Sequence, residues 1–81
     1  MDVDLNQIFL ILSKISYVSV SEIEAGTDIF EDLDVDSLGI VELFVALQKN
    51  FDIQLTPTLY TREDIRTPLL IQALLHTAKS A

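Results

Sequence analysis

The chain has 81 residues, 49% of them hydrophobic, with a mean hydropathy of +0.39 and a formal net charge of -8. This reads as a single domain over residues 1–81 that is apolar enough to fold and able to bury only about 60 to 65% of the surface its unfolded form exposes. The lack of cysteine excludes a disulfide framework, thiol catalysis by the chain itself and a cysteine-held metal.

No basic leader precedes a long apolar segment, so a cytoplasmic setting is expected. Seven of the thirteen acids lie between Glu22 and Asp36, and neither Lys nor Arg occurs between Lys14 and Lys49. One end of the molecule is therefore strongly negative. Such a surface repels nucleic acid and anionic membranes, steers basic protein surfaces toward it, and disfavours self-association, which predicts a monomer.

Taken in chain order, Leu5, Ile8, Phe9, Leu12 and Ile15 fall at helical spacing behind Asp4, a good N-cap with Gln7 three residues on, and predict a first helix over residues 5–16. The alternating "SYVSVS" of residues 16–21 has no partner strand of similar length and is expected to be loop. The connection runs on to Asp36, and Ile29, Phe30 and Leu33 are expected to pin it to the core. A second helix is predicted from about Ser37 to Asn50, with Ile40, Leu43, Phe44, Leu47 and Phe51 on a core-facing arc. Leu38, Val41 and Val45 share the opposite arc with Glu42 and Lys49. That arc suits a binding surface, or a helix packed on both sides.

Thr61 is expected to cap a short third helix, "REDI", with Glu63 and Asp64 suited to its dipole. Thr67 followed by Pro68 is a strong start for a fourth helix, whose apolar face is Leu70, Ile71, Leu74, Leu75 and Ala78. The predicted fold is all-α: a small four-helix bundle with a short third member and a long loop between the first two helices.

Few of these residues suit self-contained chemistry. His76 is the only histidine, and nothing in the sequence places it beside a serine as a base. Asp32, Asp34 and Asp36 alternate like the first ligands of a calcium loop, but Ser37 stands where that loop needs glycine and Leu43 where it needs a bidentate glutamate. Ser37, at the start of the second helix, could carry a phosphodiester facing free backbone N–H groups. Equally, Asp36 or Ser37 could be no more than the helix cap.

The stretch "DSLGIVEL", residues 36–43, within an acidic loop and ahead of "VELFVALQKNF", resembles the acyl and peptidyl carrier protein family. The resemblance covers roughly residues 5–78. It implies no catalysis by the chain itself, and a 4'-phosphopantetheine arm on Ser37, added from coenzyme A by a separate phosphopantetheinyl transferase. The arm's thiol would supply the thioester chemistry the sequence lacks. It further implies that Asp36 helps the transferase hold magnesium and that Leu38, Val41, Glu42, Val45 and Asp34 meet partners, namely an adenylating or loading enzyme and an acyltransferase or synthase acceptor. No metal belongs to the chain itself on this reading.

Gly39, Arg62, Thr67 and Pro68 make the chain most similar to free-standing D-alanyl and aminoacyl carriers. It departs from the D-alanyl group in having Ile65 where those carry Trp, and from fatty acid carriers in having Gln48 and Lys49 late in the second helix. Both departures favour an aminoacyl or short-acyl carrier in a specialised pathway of polyketide or nonribosomal-peptide type. D-alanyl transfer to a cell-wall polymer and an unmodified helical interaction module are the alternatives.

Overall fold

The computed structural model describes residues 3–80, with side chains to Ala78. Three α-helices form the frame: α1 (Leu5–Ser16), α2 (Ser37–Phe51) and α3 (Pro68–Ser80). No strand occurs among the described residues.

Each helix begins where its capping residue dictates. Asp4 accepts a hydrogen bond from the Asn6 N–H at 2.9 Å, and the Thr67 hydroxyl accepts one from Leu70 N–H at 3.2 Å, just ahead of Pro68. Helix α1 ends at Tyr17, whose left-handed backbone (φ 63°) lets its N–H reach the Ser13 carbonyl.

The helices enclose one core. Ile8 and Leu12 of α1, Leu43 and Leu47 of α2, and Ile71 and Leu75 of α3 are completely buried. Each contributes about 1.5 to 3 kcal/mol relative to an exposed side chain. The predicted core arc of α2 holds at Leu43, Phe44, Leu47 and Phe51, whereas Ile40 is only half-buried. On α3, Leu70 is 42% exposed and Ala78 half-buried, so the inward face is narrower than the sequence pattern suggested.

The expected four-helix bundle is corrected to three α-helices. In place of a short third helix the chain makes one 3-10 turn, Arg62–Ile65, closed by a capping box between Thr61 and Asp64. Pro68 sets this limit, since it has no N–H to continue a helix and its ring would clash with the carbonyl four residues earlier. Ile65 of this turn reaches the core at 2% exposure. Two further 3-10 turns, Val20–Glu22 and Pro57–Leu59, punctuate the connections.

The long loop between α1 and α2 packs as the apolar positions predicted. Ile29 and Leu33 are buried, Phe30 is half-buried against the core, and Ile23 and Val35 join them. Backbone bonds secure the loop to the far end of the molecule: Ile29 N–H donates to the Arg66 carbonyl at 2.8 Å and Leu69 N–H to the Ala25 carbonyl at 3.1 Å. Such bonds give a buried connection the partners its backbone requires.

A candidate attachment site at the start of α2

The order of Asp36 and Ser37 at the head of α2 decides what each can do. Asp36 takes the N-cap, in extended backbone, and its Oδ1 accepts a hydrogen bond from Gly39 N–H at 2.8 Å. Ser37 is the first residue of the helix. Its side chain is exposed and its hydroxyl makes no hydrogen bond with any described residue. The two caps left open by the sequence are thereby resolved in favour of Asp36. The N–H groups of Ser37 and Leu38 likewise have no acceptor among the described residues, so the positive end of the α2 dipole lies open beside the hydroxyl.

Gly39 is required by close approach. A Cβ there would lie 2.9 Å from Val35 Cγ1 and 3.4 Å from both Asp36 Oδ1 and Ile15 Cγ2. The end of α1, the acidic loop and the head of α2 thus converge on one bare backbone position. Just ahead of it, Asp34 holds a left-handed conformation (φ 57°), which Asp tolerates better than most residues.

The loop behind the serine is held by a network the sequence did not disclose. Asp28 Oδ1 accepts from Phe30 N–H at 2.9 Å and Glu31 N–H at 3.0 Å, while its Oδ2 accepts from Arg66 Nη1 at 2.9 Å. Asp32 Oδ2 accepts from Asp28 N–H at 3.0 Å, and Val35 N–H donates to the Ile29 carbonyl at 3.0 Å. The backbone N–H of Glu31 chiefly holds the Asp28 carboxyl below its ordinary 3.8; desolvation opposes it, and Arg66 and the Phe30 N–H add smaller lowering effects. Arg66 is held more strongly protonated than usual, by Glu63 first and Asp28 second.

The guanidinium groups of Arg62 and Arg66 lie 4.7 Å and 5.5 Å from the centre of the Phe30 ring. Arg62 therefore has a structural task in this chain. The contact between Asp28 and Arg66 joins residues 38 apart, and only the three-dimensional fold exposes it. The Asx-type spacing of Asp28 ahead of Phe30 and Glu31 is the one part of the network visible in the sequence.

Of the other predicted site residues, Leu38 (66%), Val41 (58%) and Val45 (53%) are exposed on α2, as are Glu42 and Lys49. The second arc is thus an outward face and not a second packing face. Asp34 is exposed at the loop's end, near this arc. His76 is exposed on α3. Asp32 and Asp36 accept backbone N–H groups of their own segments, and among the described residues no three acidic or histidine side chains converge on a possible metal position.

The family profile described as a phosphopantetheine attachment site matches residues 6–68. The chain belongs to that family. The matched segment includes α1, the acidic loop, α2 and the 3-10 turn up to the first residue of α3. Among characterised proteins, an acyl carrier protein of Buchnera aphidicola subsp. Schizaphis graminum (strain Sg) is 41% identical over 46 residues, covering 57% of this chain and 58% of that protein. An acyl carrier protein of Sulfurovum sp. (strain NBC37-1) is 45% identical over 38 residues, covering 47% of this chain and 51% of that one. The chain spans a little over half the length of these relatives.

Membership of the family brings a covalently attached 4'-phosphopantetheine. The head of α2 fits such a group: an exposed hydroxyl with no internal partner, two free N–H groups beside it, and a neighbouring carboxylate whose Oδ2 makes no hydrogen bond with a described residue. Among the described residues no helix is long and apolar enough to cross a membrane.

Proposed function

We propose that the chain is a carrier protein, without catalytic activity of its own, whose Ser37 bears the phosphopantetheine arm. What supports this reading is the division of labour at the head of α2, where Asp36 takes the cap and leaves the Ser37 hydroxyl exposed and unbonded. In the loading step Ser37 Oγ attacks the pantetheine-bearing phosphorus of coenzyme A. The bond to adenosine bisphosphate breaks, and the serine proton passes to a base of the transferase. Asp36, beside the hydroxyl, would help the transferase hold its magnesium. When bound, the arm supplies a thiol that holds an acyl or aminoacyl group as a thioester.

Leu38, Val41, Glu42, Val45 and Asp34 form the face that partner enzymes meet in turn: the transferase, a loading enzyme and an acceptor. The cargo class is an amino acid or a short acyl unit, handled in a specialised pathway in the cytoplasm by a monomeric carrier. Gly39, Arg62, Thr67 and Pro68 favour the aminoacyl likeness, and a core Ile65 (2% exposed) in place of Trp counts against D-alanyl transfer to a cell-wall polymer.

The deciding experiment is the intact mass of the purified chain before and after incubation with coenzyme A, magnesium and a permissive transferase, beside Ser37→Ala. A gain of one phosphopantetheine by the native chain alone is the expected result. An unmodified native chain under conditions that load a control carrier would leave Ser37 as an ordinary helical residue and the protein as a helical interaction module.

A further inference from the structure

A trough of about 540 Å³ runs between α1 and α2, away from the serine. Leu10 of α1 and Val41 and Val45 of α2 line it, each more than half exposed at 53%, 58% and 53%. Lys14 and Lys49 line it as well, with Glu42 as its acid. In a chain with 13 acids and a net charge of -8, neither lysine forms an ion pair or hydrogen bond with any described residue. The arginines behave differently: both lie over Phe30, and Arg66 also pairs with Asp28 and Glu63. Two lysines with no partner among the described residues and three exposed aliphatics therefore coincide in this trough.

We propose that this trough binds an amphipathic helix of a partner protein whose apolar stripe is flanked by acidic residues. From Val41 to Lys49 the helix rises about 12 Å, the length of roughly two turns of an incoming helix, enough for anchors at i, i+3 or i+4, and i+7. Lysines with no internal partner favour carboxylates on the occupant and reject a basic segment, so they set which helix is accepted. A second copy of the chain is the poorer occupant, since each copy carries the same surplus of negative charge and would set lysine against lysine. An anionic membrane is repelled for the same reason, and a concave seam between helices does not match a flat bilayer.

The inference deepens the docking face of α2, sharing Val41, Glu42 and Val45 with it. It adds Leu10, Lys14 and Lys49, and it reverses the charge expected of the segment that binds there. Modification of Ser37 is not required, so the two readings stand or fall separately.

The test uses the full, unmodified chain, 15N-labelled, titrated with two synthetic helical peptides that share a leucine stripe. One carries Glu on both flanks and the other Lys. The Glu-flanked peptide is expected to shift the amides of Leu10, Lys14, Val41, Val45 and Lys49. The Lys14→Glu/Lys49→Glu variant is expected to bind that peptide roughly tenfold more weakly, as two exposed attractions become repulsions, and to bind the Lys-flanked peptide instead. Both lysines are exposed, and circular dichroism verifies that the variant is folded. Equal binding of both peptides by the native chain, shifts confined to other faces, failure of the charge swap to restore binding, or a dimer in sedimentation that Leu10→Glu abolishes would each overturn the proposal.

Discussion

Gly39→Ala puts the packing at the head of α2 to a quantitative test, because two effects of known size oppose each other there. Alanine in place of glycine favours a helix by up to about 1 kcal/mol. The new methyl, however, would sit 2.9 Å from Val35 Cγ1 and 3.4 Å from Asp36 Oδ1 and Ile15 Cγ2. Carbon atoms prefer about 3.5 to 4.0 Å, so Val35 has to retreat by roughly 0.6 Å or more. It has little room to do so: its side chain is 7% exposed and its N–H is bonded to the Ile29 carbonyl. Overpacking of this kind costs about 1 to 3 kcal/mol.

The net expectation is a loss of about 1 kcal/mol, or about 4 to 8 °C in Tm for a domain of this size. Urea unfolding followed by circular dichroism measures it. The same substitution in a Val35→Ala background removes the obstructing methyl and should be neutral or stabilising. The cycle then shows a coupling of about 1 kcal/mol or more. If Gly39→Ala stabilises the native chain, or costs the same in both backgrounds, close approach is not the reason for the glycine.

Asp36→Ala removes the cap on Gly39 N–H and should cost about 0.5 to 2 kcal/mol by urea unfolding, with slower loading of Ser37 in the mass assay. Tyr17→Gly should stabilise the chain by up to about 1 kcal/mol, since Tyr17 is 94% exposed, packs on little, and holds a left-handed backbone that glycine adopts without strain; a loss of stability would contradict this. Because the Asp28 carboxyl is held below its ordinary 3.8, its contribution is present above that pH and lost as pH falls through its lower folded value. Asp28→Asn should therefore be less stable than the native chain near neutrality, and the gap should narrow in acid below about pH 3.8; a gap that stays constant with pH would refute the assignment.

The three α-helices were legible because their apolar residues repeat at helical spacing behind Asp4, Asp36 and Thr67, and long amphipathic segments carry that signal many times over. The outward arc of Leu38, Val41 and Val45 could be found in the same way, as could the loop anchors Ile29 and Leu33. Composition could not choose between Asp36 and Ser37 as cap, because both types suit the position and only backbone geometry separates them. Ile40 and Leu70 were placed too deep because a helical wheel fixes direction but not how far a neighbouring element reaches. The short third element was legible at its observed residues, Arg62–Ile65 behind Thr61, but it is a single 3-10 turn and not an α-helix. Least legible was the clasp of Phe30 and Asp28 by Arg62 and Arg66, which depends on how the loop meets the start of α3.

That clasp ties the loop ahead of the serine to a distant part of the chain. The loop leading into α2 takes its backbone partner from Arg66 and its ion pair from the same residue, just ahead of α3. A chain whose Arg66 segment has not yet folded back keeps the local bonds within residues 28–35 but lacks these two cross-links. The loop ahead of α2 therefore reaches its final shape only once the segment around Arg66 has closed onto it.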